Sequence, residues 1–217
     1  YSVDWTGRFV GSTPIVVRPG NTDETASVVK LLNENSIPLV PQGGNTGLVG
    51  GSIPMSGEVL LSLKRLNTVE PVDGLALQVT VGAGATLADT QKHVRNHNFE
   101  IGVDLAARDS CTIGGMIATN AGGINVLRYG AMREQLIGVE AVMSDGTVIK
   151  HLEGLEKDNT GYHLPSLLAG SEGTLAVITR ARLRLRPQLP EIVTALIAFE
   201  SVHDAVEVST RLRQQLT

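Results

Sequence analysis

The stretch PQGGNTGLVGG, residues 41–51, holds five glycines in eleven positions, one proline and no charged side chain. Glycine permits positive φ and lacks the Cβ that holds a ligand off the main chain, so successive N–H groups can converge on an anion as a nest. Phosphate is the guest such chemistry suits, with Asn45 and Thr46 as further side-chain donors. There is no lysine to complete the G-x-x-x-x-G-K-[ST] spacing of a P-loop. A flexible surface loop is the bland alternative, and the regularity of GGNTG next to a buried strand argues against it. Two more bare segments follow: DSCTIGGMIATNAGG at residues 109–123, with two Gly-Gly pairs, and TGYHLPSLLAGSEGTLAVIT at residues 160–179, where Gly170-Ser171-Glu172-Gly173 leads into an apolar run. Three such segments, far apart in sequence, can together line one long groove for an extended ligand.

Other residues offer competing chemistry. LQVTVGAGATLADT at residues 77–90 imitates a dinucleotide fingerprint: a strand-like run, Gly82-Ala83-Gly84, a helix start at Thr86 with Asp89 three residues on, and Asp104 twenty residues past Gly84. Leu87 stands where that fingerprint takes Gly or Ala, and no evident parallel strand follows, so a structural turn with a helix N-cap is preferred. His93 and His97 have i,i+4 spacing on a helix and lack an evident third metal ligand, which favours an exposed helix face. Cys111 adjoins the second glycine segment and either touches a ligand or packs as a small residue. RARLRLRP sets Arg180, Arg182, Arg184 and Arg186 on one strand face and Ala181, Leu183 and Leu185 on the other. A solvated face is expected of those arginines, with docking of an acidic domain or partner as the other reading.

The elements that must carry these residues alternate at first. PIVVRP (14–19) reads as a strand, TDETASVVKLLNEN (22–35) as a helix with Val28, Val29 and Leu32 on one face, and IPLVP (37–41) as a strand running into the first glycine segment. That order places a loop at a strand end, where open α/β sheets bind ligands. Further strands are expected in EVLLSL from Glu58, LQVTV from Leu77, IGVEAVM from Ile137, GTVIK from Gly146, TLAVIT from Thr174 and EIVTALIAF from Glu191, with a hairpin turn at Asp145-Gly146. The expected architecture is α+β: a small βαβ-containing lobe, then a larger β-rich one.

Composition narrows the partners. With 217 residues and 42% hydrophobic content the chain can bury a core, and 18 Lys+Arg against 22 Asp+Glu lacks the basic excess that holds a nucleic-acid backbone. One cysteine excludes an internal disulfide and any multi-cysteine zinc cluster, which fits a reducing compartment; the expectation is a cytoplasmic chain with no membrane span. The start at Tyr1 without methionine, and the helical pattern SVHDAVEVSTRLRQQLT with Ser201 and Asp204 in capping-box spacing and Val202, Ala205, Val206, Leu212 and Leu216 at helical intervals, suggest a piece of a longer protein.

The motifs VPQGGNTGLVGGS, CTIGGMIATNAGG, RYG at residues 128–130, and KDNTGYHLPSLLAGSEGTLAVIT together resemble the flavin-binding half of the FAD-linked D-2-hydroxyacid dehydrogenases, of the vanillyl-alcohol-oxidase or PCMH type, with the D-2-hydroxyglutarate and D-lactate dehydrogenases as the most similar branch. The resemblance implies a two-lobed FAD-binding domain over residues 1–190, with lobes of approximately 1–72 and 73–190 and a larger antiparallel sheet in the second. Residues 191–217 would begin a C-terminal substrate domain whose remainder is absent. It implies that Pro41, Gln42, Gly43, Gly44, Asn45, Thr46 and Gly47 wrap the pyrophosphate, with Leu48 and Ser52 just beyond. Ile113, Gly114, Gly115, Thr119, Asn120 and Ala121 would run beside the ribityl and isoalloxazine parts. Glu172, Gly173 and Ile178 would close the adenine or flavin side, with Asp104 and Leu105 as additional contacts.

Departures from the family pattern are informative. Members that attach FAD covalently through the first loop place a histidine where this chain has Asn45, so noncovalent FAD is expected. His163 replaces a usual aspartate and Ala176 a common glycine. In relatives the catalytic base, metal-binding histidines and substrate arginine come from the C-terminal domain, so no catalytic residue and no metal site are assigned within this chain, and a divalent metal is implied only in that missing domain. The implied reaction oxidises a small D-2-hydroxy acid such as D-2-hydroxyglutarate, D-lactate or glycolate to the 2-oxo acid by hydride transfer to flavin N5. Electrons would then pass to a quinone, a cytochrome or an electron-transfer flavoprotein, and a homodimer is a further expectation. A stand-alone FAD-binding electron-transfer subunit working with another polypeptide is the alternative reading.

Overall fold

The computed structural model describes residues 1–215 and divides into two compact units, Tyr1–Pro187 and Gln188–Thr217. In the first unit the chain lays down β1 (Val16–Val17), α1 (Thr22–Glu34), β2 (Leu39–Gln42) and β3 (Val59–Ser62). Asn21 starts α1 by accepting from the Glu24 N–H at 2.8 Å, satisfying one of the helix's free donors. The three strands form a parallel sheet with β3 in the centre, so β1 and β2 are not neighbours but flank a strand that comes later in the chain. That central place explains why β3 is apolar at nearly every position: Val59, Leu60 and Leu61 are all buried.

The second sheet is antiparallel, in the order β4 (Gln78–Gly82), β8 (Ala176–Pro187), β6 (Leu136–Met143), β7 (Val148–His151), with β5 (Phe99–Ile101) also pairing with β8. Between these strands lie α2 (Leu87–Arg95), α3 (Ile113–Ala118), α4 (Val126–Tyr129), α5 (Met132–Gln135) and α6 (Leu164–Leu168). The hairpin expected at Asp145-Gly146 joins β6 to β7: Gly146 takes φ 86°, and Asp145 Oδ1 accepts from the Thr147 N–H at 2.8 Å. Backbone and hydroxyl donors from Thr147 hold the Asp145 carboxyl below its ordinary pKa.

Two apolar cores result. One lies beneath the large sheet against α2 and α3; the other packs α1 and β3 onto the large sheet through Val29, Leu61, Val142 and Val177. A polar clasp reinforces the second junction, where Thr22 Oγ1 donates to Glu140 Oε1 at 2.5 Å and Thr179 Oγ1 to the same oxygen at 3.2 Å. Both lobes are thus anchored to β6 and β8, which fixes the groove between them.

Several expectations are corrected. β8 runs far beyond TLAVIT, through the whole arginine-rich stretch. Its arginines form a half-exposed face paired within the chain: Arg180 with Glu70 and Glu140, Arg182 with Asp73 and Gln78, Arg184 with Glu156, and Arg186 over the Tyr129 ring. The alternate residues Ala181, Leu183 and Leu185 are buried as the period-2 pattern requires. His97 falls in the turn after α2, which ends at Arg95.

In the second unit EIVTALIAF is not a strand. Its alternation is strand-like, but a strand exists only when another edge supplies hydrogen bonds, and none does so among the described residues. α7 (Val202–Gln215) follows, started by the expected box in which the Asp204 N–H donates to Ser201 Oγ at 3.1 Å. Leu216, assigned to that helix by its spacing, lies outside the described residues.

Candidate functional site

At the carboxyl end of β2 a cavity of about 490 Å³ opens in the first unit, walled by the three glycine-rich segments. Its first wall is the loop after Gln42. The Gln42 side chain is buried and points away, its Nε2 donating to Tyr1 O at 2.8 Å and Ser52 O at 2.9 Å, so it ties the loop's two ends to the N-terminal segment. Asn45 braces the middle: its Nδ2 donates to Val3 O at 2.9 Å and its Oδ1 accepts from Ser52 Oγ at 2.8 Å. Left-handed backbone falls on Asn45, at φ 56°, as well as on Gly50, at φ 75°. Asparagine tolerates that region better than most residues.

The glycines at 43 and 44 serve close approach rather than unusual φ. A Cβ on Gly44 would overlap the Ser110 carbonyl and come within 2.9 Å of the Cys111 Cα, while one on Gly43 would overlap the Thr112 hydroxyl. The first and second segments are therefore packed main chain against main chain. Gly47 is different: no atom lies within 4 Å of where its Cβ would stand. Among the described residues no group accepts from the N–H of Gly43, Gly44, Asn45, Thr46 or Gly47. Residues 43–46 are half-buried and Gly47 is exposed, so five successive donors beside the cavity stand open to water or a ligand.

The second wall begins with residues 105–107 and continues through Cys111, Thr112 and one side of α3. Asp104 holds this wall from behind, bonded to Arg108 Nη2 at 2.8 Å and Gln91 Nε2 at 3.2 Å. α3 is docked by Gly114, whose N–H donates to Ala83 O at 2.8 Å and whose missing Cβ leaves room for Ala83. The third wall is the turn at Glu172-Gly173. The Glu172 N–H donates to Ala118 O at 2.9 Å with φ 51°, and Gly173, at φ 78°, abuts Pro41. Ala176, Val177 and Ile178 at the start of β8 add an apolar floor.

Of the residues assigned to the site from sequence, all line this cavity except Gln42, Asp104, Ile113 and Asn120. Those four support it from outside: Ile113 is fully buried in the core, and Asn120 Oδ1 accepts from the Arg133 N–H at 2.9 Å. The Asn45 amide is engaged at both ends, which fixes its orientation and leaves one Nδ2 hydrogen for a ligand. Residues that the sequence reading missed include Leu63, Ala106, Ala107, Thr112, Met116 and Ala118. Helical spacing within CTIGGMIATNAGG signals Thr112, Met116 and Ala118. Nothing in their types marks the carbonyls of Tyr1 and Val3 as loop anchors.

Among the described residues the ionisable side chains on the cavity wall are Cys111 and Glu172. Burial pushes the Cys111 thiol up, with nearby Asp104 and Asp109 adding to the rise, so it stays protonated at neutral pH. The Glu172 carboxylate is exposed and makes no hydrogen bond or ion pair among the described residues. Among the described residues no histidine, lysine or arginine lines the cavity. Unspent amides, an unpartnered hydroxyl at Thr112, and walls of Gly, Ala and aliphatic residues fit a ligand with a phosphate group and a flat apolar portion.

Comparisons with known proteins agree with that fit. A family described as "FAD binding domain" matches residues 13–151. The chain is similar to the mitochondrial D-2-hydroxyglutarate dehydrogenase of Danio rerio, 42% identical over 198 residues that cover 91% of this chain and 37% of that protein. It is also similar to the Bos taurus enzyme of the same name, 39% identical over 215 residues, covering 99% of this chain and 40% of that one. It thus spans less than half the length of these relatives. Among solved structures, alkyldihydroxyacetonephosphate synthase superposes with a TM-score of 0.76 at 21% identity, over 92% of this chain and 36% of that one, a likeness of fold alone. With the match over most of its length, a parallel lobe, an antiparallel lobe and a groove of free amides between them, the chain belongs to the FAD binding domain family.

Proposed function

We propose that this chain is the FAD-binding part of a flavin-dependent dehydrogenase that oxidises a D-2-hydroxy acid, of the D-2-hydroxyglutarate, D-lactate or glycolate class, to the 2-oxo acid. The row of unspent amides from Gly43 to Gly47 carries this reading, and the names of the relatives supply the substrate class. FAD, when bound, supplies the hydride acceptor. The chain's own residues bind and orient it: the 43–47 amides take the phosphates, while the small side chains of α3 and the floor at Ala176 and Ile178 accept the flat ring and exclude water. Association is noncovalent, because Asn45 is not a nucleophile and the Cys111 thiol is held protonated.

The substrate's proton and carboxylate need groups this cavity lacks. A base and a cationic partner would come from the remainder of a longer protein, for which residues 191–217 are the proposed beginning of a second domain. Electron delivery to a quinone, a cytochrome or an electron-transfer flavoprotein belongs to that larger assembly, and a homodimer is part of the same proposal. No helix among the described residues is long and apolar enough to cross a membrane. For the compartment, the mitochondrial names of relatives weigh against the cytoplasm assigned from sequence.

The test is a paired measurement on the 217-residue chain. FAD should bind saturably and be released into the supernatant on acid precipitation. Anaerobic bleaching by D-2-hydroxyglutarate or D-lactate should be slow, since acid–base assistance of about 10²–10⁴-fold is missing. Flavin retained in the precipitate would contradict noncovalent binding, and rapid stereospecific bleaching would contradict the division of labour.

A further inference from the structure

Thr112 occupies the N-cap position of α3, yet its hydroxyl caps nothing. The residue is 2% exposed, and Oγ1 has no hydrogen-bond partner. A buried hydroxyl without a partner forfeits its hydration for no return, and a threonine at an N-cap ordinarily avoids this by accepting from the first turn of its helix. Here the hydroxyl is turned instead toward the first glycine segment, into the space a Cβ on Gly43 would need, and 3.3 Å from where a Cβ on Gly115 would stand. All three residues line the cavity. The glycine at 43 thus leaves room for the hydroxyl at the place where the free amides of the first wall begin.

We infer that the Thr112 hydroxyl is a ligand of the dinucleotide, donating its proton to a phosphate oxygen beside the Gly43 and Gly44 amides. This rests on the FAD-binding reading and adds a side-chain donor from the second wall to those of the first, where the Thr46 hydroxyl also lines the cavity. The account has two consequences of opposite sign. Without ligand, the orphaned hydroxyl lowers stability; with ligand, it strengthens binding.

Valine has nearly the shape of threonine without the hydroxyl, so Thr112→Val separates these effects. Thermal unfolding of the ligand-free chain should shift up by about 2–4 °C in the variant. Affinity for FAD, and for ADP as a probe with the pyrophosphate but no flavin, should fall about tenfold. Thr112→Ser should retain both affinities. Variant affinities within twofold of the parent would overturn the inference while leaving FAD binding intact, as would a fall in the ligand-free Tm, which would reveal a protein partner for the hydroxyl. Loss confined to FAD, with ADP unaffected, would overturn the assignment to a phosphate. A parent chain that binds neither FAD nor ADP would refute the FAD reading itself and the inference with it.

Discussion

Two glycine-rich turns follow strands in this molecule, one after β2 at Gly43–Gly47 and one after β4 at Gly82–Gly84, and they have opposite fates. In the second, every amide is spent within the protein: the Gly82 N–H donates to Thr68 O at 2.8 Å, Ala83 to Thr179 O at 2.9 Å and Gly84 to Leu66 O at 2.8 Å. Its glycines admit other main chain, since a Cβ on Gly82 would overlap the Leu66 carbonyl and one on Gly84 the Leu63 carbonyl. In the first, close packing accounts for Gly43 and Gly44, but the donors stay open and Gly47 faces empty space. Glycine content therefore says only that something approaches the backbone. Whether the amides are already paired says whether that something is the protein or a ligand.

The largest effect should come from treating the packed turn as if it were a loop. Gly84→Ala forces the Leu63–Lys64 main chain to move, and overpacking of this kind costs about 1–3 kcal/mol of stability in urea unfolding. FAD affinity of the molecules that remain folded should change by no more than a few-fold. A variant as stable as the parent would break the comparison from the structural side.

Gly47→Val probes the other turn. The protein has room for the side chain, so Tm should hold, while FAD affinity drops about 10–100-fold as the side chain meets the ligand. Gly44→Val is a less clean probe, because it also pries the loop from Ser110. Unchanged FAD affinity in the Gly47 variant would mean that the ligand does not pass this point.

Much of this contrast was legible in the residues, and some of it was not. Leu87 in place of a small residue, together with the Thr86-x-x-Asp89 start, marks the second turn as structural, and the antiparallel partner of β4 shows why no dinucleotide can sit there as it does on a parallel βαβ unit. Strands with a strong apolar run, such as VLLS and LIGVEAVM, could be read directly because they are buried on both faces. EIVTALIAF could not, because pairing depends on a partner that its own residues do not specify. The service of the Tyr1 and Val3 carbonyls was hidden for a related reason: backbone acceptors carry no signature of residue type. Glycine spacing located the walls of the site, but it could not tell Gln42 and Asp104, which hold the walls up, from the residues that face the cavity.

A smaller effect concerns Cys111, where the two walls meet. Its pKa is raised in the folded chain by burial, so neutral thiol favours the fold at pH below the ordinary thiol range, and that contribution is lost as pH rises through the folded value. Tm should decline on the alkaline side, and Cys111→Ala should flatten the decline while lowering Tm throughout. A parallel decline in parent and variant would remove Cys111 from the account. Smallest of all, His93→Ala, which loses a 3.1 Å contact between Nε2 and Glu70 O and a ring contact with His97, both away from the cavity lining, should leave FAD affinity unchanged.

Amide hydrogen exchange, with and without FAD, tests the central claim most directly. The account predicts that FAD slows exchange at residues 43–47 and leaves Gly82, Ala83 and Gly84, already bonded and slow, as they were. Saturable FAD binding without protection at residues 43–47 would contradict it.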